Sequence, residues 1–254
     1  MIIEAYIWAF SKAAAGARQA GLVYEIAGIA GRFRRHQENW ETHLNNSRKL
    51  IAEQIALADL NEPILVLGAG LGLDLPLDAL NHHPSGALLC DAVETPTMRQ
   101  KLKKYPNLSF EIIDLTGLLA PFWADNNSDS IRPPACAPIP LTGYSLAISC
   151  NILSQLPLPF AKSPPESDTE IRLTAAIQHA HMTALNVMDC PALIITDYER
   201  IDTIGGDTQN IISAAPQLFP EEPLKIWDWE IAPKGELGKD QSVSLKVGAW
   251  LLGG

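Results

Sequence analysis

The feature of the chain most suited to chemistry is a glycine-rich turn, Gly68-Ala69-Gly70-Leu71-Gly72, which directly follows the apolar run 64–67. Glycines let the backbone turn sharply and let a ligand approach the main chain without meeting a Cβ atom. A helix after such a turn points its unpaired amides at that ligand. Asp91 ends the next apolar run. This order predicts a ligand site at the turn, and the alternative is a tight connection that binds nothing.

Polar side chains at the ends of two later apolar runs are candidates for acid-base work. Asn151 follows the fourth run, and Asp197 and Tyr198 follow the fifth. Each is a candidate to take a proton from a hydroxyl or protonated amine. His43 shares a helix face with Trp40 and is a further candidate, with a buried structural histidine as the alternative.

No metal site is predicted. The four cysteines form no CxxC pair and no cluster with histidine. His179 and His181 lie two positions apart in a predicted helix, whereas a helical metal pair needs a spacing of four.

The elements that must position these residues alternate between apolar runs and helical segments. The predicted strands are 64–67, 87–90, 108–113, 145–149 and 192–196. This alternation predicts right-handed βαβ units and a mainly parallel sheet with helices on both faces. Two final runs, 225–231 and 242–251, are joined by a Pro/Gly-rich connection and predict a closing antiparallel pair. We therefore expect an α/β sheet of about seven strands.

The N-terminal part differs from this pattern. Residues 32–58 predict one helix because apolar and small residues recur at steps of three and four: Trp40, Leu44, Ser47, Ile51 and Ile55. We expect residues 1–60 to form a helical extension and residues 61–254 to form the sheet domain.

The segment 5–31 is apolar overall, but charged residues interrupt it too often for a transmembrane span. A helix packed on its own domain is one interpretation. The alternative is an amphipathic helix at a membrane interface or a partner, anchored by Trp8, Phe10 and Tyr24. Two further segments, 126–140 and 157–168, are predicted as loops.

The Gly-x-Gly-x-Gly spacing has Leu73 where a dinucleotide fingerprint has its third glycine. It resembles the first motif of class I S-adenosylmethionine-dependent methyltransferases, and the order of elements over residues 63–252 resembles that family as well. The resemblance implies a Rossmann-like fold, S-adenosylmethionine as cofactor and methyl transfer. The acceptor, a small molecule or a protein side chain, is not identified.

The resemblance also implies roles for individual residues. The acidic residue ending the second strand, Asp91, is expected to bind ribose hydroxyls, and Asp114 after the third strand is expected to contact adenine. For both, a helix cap or a solvated loop carboxylate is the alternative. Asn151 is expected to border the acceptor. The implied cofactor site comprises Gly68, Ala69, Gly70, Gly72, Asp91, Ala92, Asp114, Leu115 and Asn151.

The charge of the chain restricts its partners. The net charge of −10 lacks the positive surface that duplex nucleic acid requires. Residues 1–60 carry seven Lys/Arg and six Asp/Glu, a net charge of +1 that leaves −11 for the remainder. Any contact with an anionic partner should therefore involve the N-terminal part. The cysteine pattern and the start of the chain predict a cytoplasmic protein.

Two other functions compete with a methyltransferase. A NAD-dependent oxidoreductase would bind the dinucleotide, and Leu73 argues against it. A binding protein that has kept the fold and lost turnover would use its N-terminal helices as an interaction surface.

Overall fold

The computed structural model describes residues 2–125, 132–220 and 222–253. The helices are α1 (Ile2–Phe10), α2 (Leu22–Arg35), α3 (Gln37–Ile55), α4 (Leu77–His82), α5 (Pro96–Leu102), α6 (Leu119–Asp125) and α7 (Asp168–Asn186). The strands are β1 (Lys12–Ala13), β2 (Ile64–Leu67), β3 (Ala87–Asp91), β4 (Val93–Glu94), β5 (Leu108–Ile112), β6 (Leu146–Cys150), β7 (Ala192–Ile204), β8 (Asp207–Ile212), β9 (Lys225–Ala232) and β10 (Gln241–Leu252).

The main sheet has eight strands, in the order β5-β3-β2-β6-β7-β10-β9, with β8 pairing with β7 beside this path. Neighbours from β5 to β7 are parallel, and β10 is antiparallel to both β7 and β9. This confirms the mainly parallel, Rossmann-like α/β sheet with a reversed strand near its end.

The eighth strand was not predicted. β7 continues to Ile204, eight residues beyond its predicted end, and then turns through Gly205 and Gly206 into β8. Both glycines have positive φ, at 61° and 98°. A two-residue Gly-Gly connection between extended runs is typical of a β-hairpin.

Helices cover both faces of the sheet, as expected. The four residues of β2 are all fully buried and alternate between two apolar clusters. Ile64 and Val66 pack with α3, α4 and α5, while Leu65 and Leu67 pack with α6 and α7. A parallel strand buried on both faces explains its continuous apolar sequence.

The prediction of a single helix over 32–58 is wrong, because the segment is interrupted near its start. The chain leaves helical geometry at His36 (φ −129°, ψ 38°), so α2 ends at Arg35 and α3 begins at Gln37. The His36 ring lies 2.8 Å from Glu236 Oε2, and this contact accompanies the break. The periodic face of α3 is buried as predicted.

The first two helices pack on the glycine turn. Ile7 and Val23 form a small apolar cluster with Leu71 and Val93.

No helix in the described ranges is long and apolar enough to cross a membrane. The predicted loop 157–168 contains only turns until α7 begins. Residues 126–131 of the other predicted loop lie outside the described residues.

Candidate functional site

The candidate site lies where the strand order reverses. From β2 the chain proceeds to β3 and β5 on one side, and it returns to β6 and β7 on the other. In open α/β sheets, ligands bind beyond the carboxyl ends of the strands at such a point. The glycine turn follows β2 there, and Asn151 follows β6.

The three glycines of the turn all have positive φ, but their surroundings differ. A Cβ atom at Gly68 would lie 2.7 Å from the Cys150 carbonyl oxygen, and one at Gly72 would lie 2.9 Å from Met98 Cε. Close packing against the backbone requires glycine at position 68, whereas at position 72 the end of the flexible Met98 side chain can move and the positive φ of 62° is what favours glycine. A Cβ atom at Gly70 would meet only Asp91 Oδ2, at 4.0 Å. Open space therefore borders the turn at Gly70.

Asp91 closes the turn from the neighbouring strand. Its Oδ2 accepts a hydrogen bond from the Gly70 amide at 2.8 Å, and its Oδ1 accepts one from the Val93 amide at 3.0 Å. Burial raises the pKa of the Asp91 carboxyl, and the bonds from Gly70 and Val93 oppose that shift. Each oxygen retains acceptor capacity, because a carboxylate has about four lone-pair sites.

The Asp114 carboxylate accepts hydrogen bonds from residues that closely follow it in the chain. Its Oδ1 accepts hydrogen bonds from the amide and hydroxyl of Thr116, and its Oδ2 accepts one from the Leu119 amide at the start of α6. The carboxylate thus caps this helix, the alternative stated from the sequence. Leu115 is buried in the core below.

Two cations that the sequence did not indicate hold the turn from beneath. Arg48 of α3 donates through Nε to the Leu73 carbonyl at 2.8 Å, and Lys101 of α5 donates to the Leu71 carbonyl at 2.8 Å. Burial and the nearby Arg48 charge lower the pKa of Lys101. These contacts join residues 25 and 30 positions apart, so no local pattern reveals them.

On the other side of the switch point, Asn151 and His43 meet. The Asn151 amide lies 3.2 Å from His43 Nε2, and both residues are buried. Asn151 has a φ of 50°, the only positive value among the described residues other than glycine. Asp74 Oδ1 lies 2.8 Å from the same ring nitrogen. The sequence placed His43 on an inward face, and the structure brings it to the site.

The other nitrogen of His43 is fixed by a tryptophan. The Trp227 indole donates to His43 Nδ1 at 3.0 Å, and the imidazole stacks on Trp229 with ring centroids 3.8 Å apart. Because an indole only donates, Nδ1 must accept, and the proton of the neutral ring sits on Nε2. The Asn151 atom 3.2 Å from Nε2 is the amide nitrogen, so the acceptor oxygen within reach of Nε2–H is Asp74 Oδ1, at 2.8 Å. The alternation of Trp227 and Trp229 in a predicted strand was the available signal for a shared face.

Asp197 and Tyr198 diverge because they occupy successive positions of β7. Asp197 is buried and accepts a hydrogen bond from Ser154 Oγ at 2.5 Å. Burial raises the pKa of Asp197, while hydrogen bonds from Ser154 and Ser213 oppose that shift. Tyr198 packs edge-on against Trp250, with centroids 5.9 Å apart. The structure brings Asp197, but not Tyr198, toward the Asn151 cluster.

A short N-terminal strand covers the Asp91 side of the site. β1 pairs with β4, placing Lys12 opposite Glu94 and Ala13 opposite Val93. The Ala14 amide also donates to the Ala92 carbonyl at 2.9 Å. The residues that directly follow Asp91 are therefore paired with the N-terminal segment.

Within the described ranges, no group of three His, Cys, Asp or Glu residues could hold a metal ion. His181 is fully buried and bonds Ser149 Oγ at 2.8 Å, and burial lowers its pKa to about 4. It belongs to the core.

No model of a known protein family matches the chain, and no curated protein matches it. Solved structures that match include a DhpI complex with S-adenosylhomocysteine (12% identity, 91% of this chain and 96% of that chain, TM-score 0.37). A 1,6-didemethyltoxoflavin-N1-methyltransferase from Burkholderia thailandensis also matches (12% identity, 94% and 92%, TM-score 0.40). A third is the glycopeptide N-methyltransferase MtfA with sinefungin (10% identity, 80% and 92%, TM-score 0.36). These likenesses concern the arrangement of the chain, and the fold assignment rests on the strand order described above.

Proposed function

We propose that this protein is a methyltransferase that binds S-adenosylmethionine at the glycine turn and transfers its methyl group to a small molecule or a protein side chain. The observation that carries the proposal is the contact between Gly70 and Asp91. It places an ionisable carboxyl 2.8 Å from the turn amide, beside open space, at the switch point of the sheet.

The residues present fit this cofactor. The open space at Gly70 admits a ligand against the backbone, and the free acceptor sites of Asp91 suit the hydroxyls of a ribose. On the acceptor side, the Asn151 amide oxygen is buried and has no hydrogen-bond partner among the described residues. Adenine contacts would come from the backbone near Leu115, since the Asp114 carboxylate is occupied by its cap.

S-adenosylmethionine supplies a methyl group on a sulfonium, and alignment of the acceptor with that group does most of the catalytic work. The chain contributes a buried, polar wall formed by Asn151, His43 and Asp74. Asp197 is the candidate to receive an acceptor proton, because a carboxyl of raised pKa is a better base. His43 holds Asn151 in place. It is not itself the base, because Nδ1, the ring nitrogen with the lone pair, already accepts a hydrogen bond from the Trp227 indole.

Calorimetric titration with S-adenosylmethionine, S-adenosylhomocysteine and NAD tests the proposal. We expect the first two to bind at one site and NAD not to bind. Binding of NAD alone would overturn the proposal in favour of an oxidoreductase. Release of S-adenosylhomocysteine in the presence of candidate acceptors then separates an enzyme from a binding protein without turnover.

A further inference from the structure

The exposed aromatic side chains among the described residues lie on the first two helices, which pack against each other. Among the described residues, every aromatic side chain that is exposed belongs to α1 or to the start of α2. These four side chains are between 51% and 71% exposed: Tyr6, Trp8, Phe10 and Tyr24. Ile7 is the one large apolar side chain of α1 known to be buried. A helix that leaves most of its apolar surface in water marks an interaction site.

Basic side chains surround this aromatic surface. Arg18 lies over the Trp8 ring at 6.0 Å and donates to the Trp8 carbonyl. Arg99 donates to the Phe10 carbonyl. Lys12 lies two residues beyond the end of the helix and is exposed. A surface cavity of about 410 Å³ lies beside the helix and is lined by Tyr6, Pro96, Arg99, Gln100 and Lys103.

We propose that α1 and these cations form a docking surface for an anionic phospholipid bilayer. Tyr, Trp and Phe side chains insert at the boundary between headgroups and acyl chains, and Lys and Arg attract anionic headgroups. Arg99 and Lys103 flank the cavity, where a phosphate group would lie between them. Glu94 offsets part of two of these charges, because it lies 3.1 Å from Arg99 and 3.9 Å from Lys12, and Glu25 beside Tyr24 is acidic as well.

Charge favours a bilayer over a second copy of the chain. A symmetric dimer through α1 would place each patch against itself, so that like charges would face each other. Residues 1–60 carry a net charge of +1 and the remainder −11, so an anionic bilayer attracts the N-terminal part and repels the rest of the chain.

Vesicle flotation tests the proposal with phosphatidylcholine vesicles and with vesicles that also contain phosphatidylserine. We expect binding to the second kind only, and loss of that binding at high salt. The double variant Trp8→Ser, Phe10→Ser should reduce binding about tenfold or more. Lys12→Glu with Lys103→Glu should do the same.

The matched control replaces two exposed leucines outside the patch, Leu57→Ser and Leu158→Ser, and should bind like the wild type. Thermal melts check that every variant is folded. Trp8→Phe should keep binding and lose most of the blue shift in tryptophan fluorescence on vesicles, because Trp8 is the exposed tryptophan among the described residues. Equal binding to both vesicle types, or unchanged binding of both double variants, would overturn the proposal. A wild-type dimer that becomes monomeric in Trp8→Ser, Phe10→Ser, without vesicle binding, would assign the surface to a second copy.

Discussion

The two halves of the candidate site are built in different ways. The cofactor half joins Gly70 to Asp91 across two adjacent strands, largely through backbone groups. The acceptor half joins His43, Asp74, Asn151 and Trp227 through side chains from four separate elements and loops. The first half follows from local sequence and strand order. The second depends on the packing of distant segments, so remote substitutions should disturb it.

Gly70→Val should produce the largest effect, loss of measurable S-adenosylmethionine binding. A branched side chain would fill the open space and is strained at a φ of 47°. Gly205→Val is the matched control, since Gly205 has a φ of 61° and nothing near its Cβ position. Calorimetry should show binding lost in the first variant and kept in the second. A folded Gly70→Val protein of normal affinity would show that S-adenosylmethionine does not bind at this turn.

Asp91→Asn should weaken S-adenosylmethionine binding by roughly 1–3 kcal/mol through loss of a charged acceptor. The unfolding stability of this variant relative to wild type should increase as pH rises. Because burial raises the pKa of Asp91 in the folded state, its ionisation costs stability above the unfolded pKa of about 3.9. Melting curves from acidic to neutral pH should therefore show the variant gaining stability relative to wild type. A constant difference across pH would contradict the raised pKa.

Trp227→Phe should impair the acceptor half and leave the cofactor half unchanged. It removes the donor to His43 Nδ1 and leaves a buried acceptor unpaired, at a cost of about 1–3 kcal/mol in unfolding free energy. With the ring no longer fixed, Asn151 loses its partner, so methyl transfer should fall while S-adenosylmethionine affinity stays near normal. Trp229→Phe is the control, because it keeps a ring for stacking and removes no hydrogen bond to His43. Equal loss of cofactor affinity in both would place this cluster in the cofactor half.

Glu236→Gln tests how far the acceptor half depends on remote contacts. Arg35 and His36 hold Glu236 at the corner that precedes α3, and their hydrogen bonds lower its pKa to about 2. Its contribution to stability is therefore present above the unfolded pKa of about 4.3 and is lost as pH falls toward 2. The variant should be less stable by about 0.2–1 kcal/mol at neutral pH, because half of the Arg35 side chain is exposed to water, and it should match wild type in strong acid. Loss of turnover at unchanged cofactor affinity would show that the corner positions His43.

Tyr198→Phe should have the smallest effect. Tyr198 packs against Trp250, away from Asp197 and Asn151. We expect S-adenosylmethionine affinity and turnover to remain within about twofold of wild type, since the half-buried ring keeps its packing and only the hydroxyl is removed. Asn151→Ala should lower turnover at nearly unchanged affinity. A turnover defect in Tyr198→Phe as large as that of Asn151→Ala would show that Tyr198 is part of the acceptor site.

The sequence by itself determined the sheet, the glycine turn and the inward face of α3, because hydrophobic periodicity and glycine spacing are local signals. It located Asp91 and the buried stripe of Trp40 and His43. The tertiary structure decided which groups meet. The capping role of Asp114, the fixed tautomer of His43, and the support of the turn by Arg48 and Lys101 all depend on pairs far apart in the chain. It also separated Asp197 from Tyr198, since successive residues of a strand face opposite sides and only the assembled sheet shows which side holds the site.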